Sequence, residues 1–154
     1  MRPTRLALVA AAALAATSVA AAKVDPAVAI QARQLGMKQI GRDFKAINDQ
    51  LRSGSADGKV VAAAAHDLAG LAPKVPSWFL AGTGPETGLK TAAKADIWAQ
   101  NADFRAKAKA LALATRNLDA AARRGGDPAA LQPLVGQVGG ACKACHTSYK
   151  VSEH

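Results

Sequence analysis

Apolar side chains return every seven residues through two long stretches of this chain, and spacing of that kind buries a continuous stripe only on a helix. Ile30, Met37, Phe44 and Leu51 recur in this way from about Asp25 to Arg52, with Gln34, Ile40 and Ile47 between them. Ile97, Phe104, Leu111 and Leu118 repeat it from about Ala95 to Arg124, with Asn101, Ala108 and Thr115 between. Two shorter stretches complete the pattern. Val60, Val61, Ala64, Leu68 and Leu71 mark one side of residues 57–71, and Leu131, Leu134, Val135, Val138, Cys142, Cys145 and Tyr149 fall on one stripe of residues 127–149.

The ends of these segments carry helix punctuation. Asp25-Pro26 and Asp127-Pro128 each pair a capping carboxylate with a proline at the first helical position. Ser53-Gly54-Ser55, Pro73 with Pro76, and Gly125-Gly126 supply the stops. Residues 73–93 form a long connection with Trp78, Phe79 and Leu80 in it, and such a connection is expected to pack over something. No segment shows sustained β-branched alternation. The expected fold is therefore all-α, an antiparallel four-helix bundle, with the alanine-rich composition suited to close helix packing.

Residues 1–22 stand apart. Arg2 and Arg5 precede an apolar run from Leu6 to Ala16, and Ala20-Ala21-Ala22 offers small residues for cleavage before Lys23. This reads as a secretory signal; an uncleaved anchor is the alternative, at the short end of the length needed to span a bilayer. Residues 23–154 then form a single domain, exported to the periplasm, with no further segment apolar enough to cross a membrane. The chain holds 20 Lys and Arg against 11 Asp and Glu, for a net charge of +9, and Arg2 and Arg5 leave with the signal. A basic balance favours acidic partners. The charges are scattered, Arg123-Arg124 is the one adjacent pair, and no aromatics interleave with them, so nucleic-acid binding is not expected.

The two cysteines, Cys142 and Cys145, are separated by two residues. A disulfide there would close too small a loop to staple a domain of this size. A thioredoxin-like pair would want a helix N-terminus, and these lie near a helix end. A zinc site could recruit Cys142, Cys145, His146 and His154. The full run, Cys142-Lys143-Ala144-Cys145-His146, instead matches the attachment motif of c-type haem. Each thiol adds to one vinyl group of the porphyrin, the spacing puts both sulfurs on one helical face, and His146 can reach the iron. One covalent haem is therefore expected, clamped against the bundle interior.

With its motif on the last of four helices, the chain resembles the class II cytochromes c, the family of cytochrome c′ and the low-spin cytochrome c-556 proteins. Arg33-Gln34, Pro76-Ser77-Trp78-Phe79, Gly82-Thr83-Gly84 and Asp96-Ile97-Trp98 are similar to family patterns. The resemblance implies a sixth iron position four residues after the basic residue of the first helix, which here is Met37. In cytochrome c′ that position is apolar and the iron is five-coordinate; in the low-spin members a methionine binds. Met37 also lies on the buried stripe by its own spacing and is the one methionine left after cleavage, although a lone methionine at such a position ordinarily fills core. Gly36 and Gly41 beside it suggest low crowding where a porphyrin must approach.

Arg33 is a candidate for a haem propionate, Gln34 a similar one, and Phe104 a candidate wall of the haem pocket. Lys143 is expected to be exposed and able to steer an acidic partner, and His66 to be a surface residue. No catalytic acid, base or nucleophile constellation is evident, so no enzyme is expected. The first functional expectation is electron transfer by a haem ligated by His146 and Met37, exchanging with a redox partner protein. The second is a five-coordinate haem binding NO or CO. A haem-free structural or metal-binding module is the third. A homodimer through the first two helices is common in cytochrome c′, and these residues alone do not dictate it.

Overall fold

The computed structural model describes residues 24–152. The signal expected over residues 1–22 lies outside the described residues, as do Lys23, Glu153 and His154.

Four long helices form the bundle: α1 (Pro26–Arg52), α2 (Gly58–Leu71), α4 (Asn101–Arg123) and α5 (Pro128–Tyr149), with a single-turn α3 (Asp96–Ala99) before α4. Their ends follow the sequence closely. The Asp25 carboxylate accepts from the Ala27 N–H at 2.8 Å, Asp57 from Lys59 N–H at 2.8 Å, and Asp127 from Ala129 N–H at 3.1 Å. Each satisfies one of the donors that a helix start leaves free. At the end of α4, Gly125 turns to a φ of 73°. Gly126 N–H then returns to the Ala121 carbonyl at 3.2 Å and Gly125 N–H to that of Ala122 at 3.0 Å, the paired bonds that close a glycine-terminated helix.

Two expectations need correction. The third helix is not continuous over 95–124. Gln100, with φ −114° and ψ 43°, separates α3 from α4, and the Asn101 amide side chain donates to the Ile97 carbonyl at 3.4 Å across the break. The connection after α2 does not become irregular at Pro73. It tightens into a 3₁₀ helix over Ala72–Trp78, where Pro73 occupies a first-turn position that needs no N–H. Ala72 and Val75 on this segment are fully buried, so it extends the core by two turns.

The core runs through all four long helices. Ile40 and Ile47 from α1, Val61, Ala65 and Leu68 from α2, Phe104, Leu111 and Leu118 from α4, and Leu131, Val135 and Val138 from α5 are buried in one cluster. Burying each such side chain contributes about 1.5–3 kcal/mol. Buried alanines on α2 and α4 bring the backbones close. The helices pack as a ring, with α1 on α2, α2 on α4 and α4 on α5 in extensive contact, while the fourth seam, α1 against α5, is thin. Met37, Phe44 and Leu51, expected on the buried stripe of α1, are only half-buried. They form the row of α1 that borders this thin seam.

Among the described residues the one β-type pairing is an antiparallel bridge between Ala93 and Lys150. Lys94 N–H reaches the Tyr149 carbonyl at 3.0 Å and Val151 N–H that of Ala92 at 2.8 Å. The end of the long connection is thereby tied to the end of α5. No described helix is long and apolar enough to cross a membrane.

Gly36 does not leave open space. The Trp78 indole lies over it, and a Cβ there would meet three ring carbons at 2.6–2.8 Å. Gly136, on the outer face of α5, has nothing within 4 Å. Gly36→Ala should therefore destabilise the protein by about 1–3 kcal/mol in urea unfolding, while Gly136→Ala should stabilise it by about 0.5–1 kcal/mol.

Asp43, buried on α1, accepts from Gln39 Nε2 at 2.6 Å through one oxygen, while the other has no partner. Burial first, and the nearby Asp67 charge as well, raise its pKa above the usual carboxylate range, against lowering by Gln39 and Arg42. A carboxyl whose folded pKa is raised weakens the fold once ionised, so its cost is fully present above the folded pKa and fades as pH falls toward the unfolded value. Asp43→Asn should raise the thermal midpoint at pH 7, by an amount that shrinks as pH is lowered into the carboxylate range.

Candidate haem site

The C-terminal half of α5 carries Cys142, Cys145 and His146. Three residues span about 4.5 Å along a helix and nearly one turn, so the two sulfurs share a face. Both thiols are free and half-buried. Burial, first among the causes for each, raises their pKa values, so both are protonated at neutral pH. His146 is exposed at the edge of the bundle. Partial desolvation first, then Lys150, lower its imidazole pKa. That favours the neutral ring, the form that ligates metals.

The wall facing this face comes from α1. Leu51 lines a small cavity together with Pro128 and Leu131 of α5, and the Phe44 ring lies 3.4 Å from where a Cβ of Gly139 would stand. These two contacts fix an antiparallel register. Carried one heptad further toward the start of α1, it sets Met37 level with Cys145 and His146. Met37 is half-buried and packs against the apolar core.

Arg33, the candidate for a haem propionate, is bound into the long connection. It is 3 % exposed. Its Nη1 donates to Thr83 Oγ1 at 3.1 Å, and its Nη2 to the Thr83 carbonyl at 3.1 Å and Thr91 Oγ1 at 2.8 Å. The guanidinium also lies 4.8 Å from the centre of the Phe79 ring. Desolvation depresses its pKa, and Glu86 partly offsets this. Its visible role is to pin the long connection onto α1. Gln34 is exposed, and its amide donates to the Lys90 carbonyl at 3.1 Å. The two side chains thus grip the same loop.

Phe104 is 1 % exposed and central to an aromatic group. Its ring meets Phe79 edge-on at 4.9 Å and Tyr149 edge-on at 5.5 Å. Phe79 continues to Trp98 at 6.4 Å. The Tyr149 hydroxyl donates to Asp103 Oδ2 at 2.5 Å, and Lys107 donates to Asp103 Oδ1 at 3.2 Å. Sequence reasoning placed Tyr149 on the stripe but not this carboxylate partner. Its spacing of four from Cys145 put it beside the motif, while Asp103 sits on another helix.

The remaining candidates stay apart. His66 is exposed on α2, with Nδ1 3.8 Å from Asp119 Oδ1. Lys143 is exposed. Among the described residues no group of three or more His, Cys, Asp or Glu side chains is placed to hold a metal ion, and His154, the fourth member of the zinc alternative, lies outside them. The residues present do fit a covalent haem. Two protonated thiols share one face, a neutral imidazole adjoins them, and the helix seam in front is the least closed of the four.

Comparison with known proteins agrees with this fit. The family described as Cytochrome C' matches residues 28–150. A cytochrome c′ of Rhodospirillum rubrum is 33% identical over 147 residues, covering 95% of this chain and 97% of that protein. Among solved structures, a cytochrome c′ described by an unusual ligand-controlled dimer dissociation covers 85% of this chain and 100% of its own, at 27% identity and a TM-score of 0.79. The nitric oxide complex of a variant cytochrome c prime from Alcaligenes xylosoxidans covers 85% of this chain and 99% of its own, at 26% identity and a TM-score of 0.75. With the family match spanning both the α1 wall and the motif on α5, the chain belongs to the cytochrome c′ family, whose members carry one covalent c-type haem.

Proposed function

We propose that Cys142 and Cys145 hold one haem c through two thioether bonds, that His146 is the protein ligand of its iron, and that the side facing Met37 is left five-coordinate for small gases such as NO and CO. The observation that carries this reading is the packing of Met37. Its side chain already rests against the apolar core, so it fills space without needing a metal bond. The relative crystallised as a nitric oxide complex supports the same ligand class.

When bound, the haem supplies an iron centre that takes up a diatomic ligand or an electron. The chain does the rest. Cys142 and Cys145 fix the orientation of the ring on α5. His146 supplies a neutral nitrogen ligand. Met37 and Phe44 would offer the haem an apolar surface that excludes water and discriminates against polar ligands. Arg33, held by Thr83 and Thr91, would offer its unused donors to a propionate, with Gln34 beside it, and Phe104 would brace the end of α5 through its edge-on contact with Tyr149.

Electron transfer with ligation by both His146 and Met37 is the second reading, favoured by the helix register that sets Met37 level with His146. The sequence alone ranks it first; the comparisons favour the gas-binding arrangement. In either case residues 1–22 would direct export to the periplasm, and the basic surface, Lys143 included, would suit an acidic redox partner. The relative with ligand-controlled dimer dissociation supports a homodimer here as well.

The test is the absorption spectrum of the holoprotein, ferric and ferrous, with and without carbon monoxide. A high-spin spectrum that changes on adding carbon monoxide is expected, with Met37→Ala altering gas affinity but not spin state. A low-spin spectrum that turns high-spin in Met37→Ala would instead establish the six-coordinate carrier. Replacing Cys142 or Cys145 by Ala should leave a single thioether, read as a red-shifted band of the pyridine haemochrome, and replacing both should leave haem that acid–acetone extracts.

A further inference from the structure

Tyr149 is the one tyrosine in the chain, and its surroundings are unusual for a residue that only fills space. It is 3 % exposed. Its hydroxyl donates to Asp103 Oδ2 at 2.5 Å, while the carboxylate itself is half-exposed and held by Lys107. Its ring stands edge-on to Phe104 at 5.5 Å and 89°. It lies three residues beyond His146 and four beyond Cys145 on α5, about 4.5 Å and about 6 Å along the axis. A buried phenol cannot lose a proton to solvent, and a tyrosine gives up an electron readily only if its proton leaves too. Asp103 supplies what burial removes, a short charge-assisted acceptor with an open path to water.

We propose that Tyr149 and Asp103 form a proton-coupled electron-donor pair serving the haem centre, a role that rests on the haem attachment proposed above. The oxidant is a hydroperoxide. When bound, the haem would supply the centre from which hydrogen peroxide takes two electrons, with two protons from solvent, to give two waters. Tyr149 then returns one electron. Its O–H bond breaks, the electron passes along the last turn of α5 to the centre, and the proton moves to Asp103 Oδ2. The products are a neutral phenoxyl radical at Tyr149, a carboxylic acid at Asp103 and a haem centre one electron short. Phe104 and the bundle wall shield the radical from water.

Two features separate this role from a structural clasp. Tyr149→Phe keeps the ring and its contact with Phe104 but removes the proton and the accessible oxidation. Asp103→Asn keeps the tyrosine but removes the proton acceptor.

The experiment mixes ferric holoprotein with hydrogen peroxide, freezes it within milliseconds to seconds, and reads the electron paramagnetic resonance spectrum. Haem loading is checked beforehand by the pyridine haemochrome of each variant. A tyrosyl signal is expected in the wild type, absent in Tyr149→Phe, and formed about tenfold more slowly in Asp103→Asn, the rate equivalent of losing one charge-assisted hydrogen bond. A haem-loaded wild type with no tyrosyl signal, or a radical that survives Tyr149→Phe because it sits on Trp78 or Trp98, overturns the pair. A tyrosyl signal formed equally fast in Asp103→Asn overturns the part assigned to the carboxylate. A protein that binds no haem overturns the functional reading and this inference together.

Discussion

A planar group as wide as a porphyrin enters a helix bundle only where two helices stop short of full contact. In this fold three seams of the ring are closed by branched and aromatic side chains, and the seam between α1 and α5 is not. The asymmetry comes from the side chains available. Ile40 and Ile47 are buried in the core, while Phe44 and Leu51 meet α5 at Gly139 and at Pro128 and Leu131, with Met37 one heptad further along the same row. Opposite them α5 presents glycine, alanine and two cysteines in place of the leucines and valines of its first half. Dispersion and apolar burial hold the other three seams together, so the fourth can stay thin without loss of the fold.

Polar contacts brace both flanks of that seam. On one side Arg33, a charge buried by the loop that it organises, bonds Thr83 and Thr91 and lies over Phe79. On the other, Tyr149 bonds Asp103 and its backbone joins the 92–94 segment. Phe79 and Phe104 connect the two through edge-on ring contacts. A buried arginine satisfied by neutral acceptors costs desolvation, and here that cost coincides with a fixed geometry for the long connection. The Trp78 ring over Gly36 has the same effect from the apolar side.

The local parts of this arrangement were legible in the sequence. Capping carboxylates, first-turn prolines and the Gly125 stop depend on neighbours a few residues away, and α1, α2 and α5 appeared within a residue of their expected ends, while α4 begins at Asn101 and not near Ala95. The cysteine–histidine run was legible for the same reason. The break at Gln100 was not, because Asn101 continues the seven-residue spacing on both sides of it. The 3₁₀ extension over Ala72–Trp78 was hidden by prolines that read as stops when only an α-helix is considered. Arg33 was read as a haem-propionate candidate, and its grip on the long connection was not legible because its three acceptors lie 50 to 58 residues away. Gly36 was taken as open space, and the ring that occupies it comes from a segment whose path the spacing could not fix. Met37 shows the limit most clearly: its level on α1 follows from periodicity, while its choice between core and iron depends on a balance of packing and bonding that no spacing encodes.

The bridge between Ala93 and Lys150 also bears on the order in which the molecule closes. The α4–α5 hairpin needs only a short turn to form, whereas the bridge and the Arg33 contacts join segments separated by half a hundred residues or more. Contacts of low sequence separation form first, and distant ones wait on the entropy of closing long loops. The helix that carries the two thiols is thus expected to form as a local unit before the connection locks its end. The late contacts at residues 92–94 fix the end of the motif helix and leave the thin seam in front of the thiols as it was.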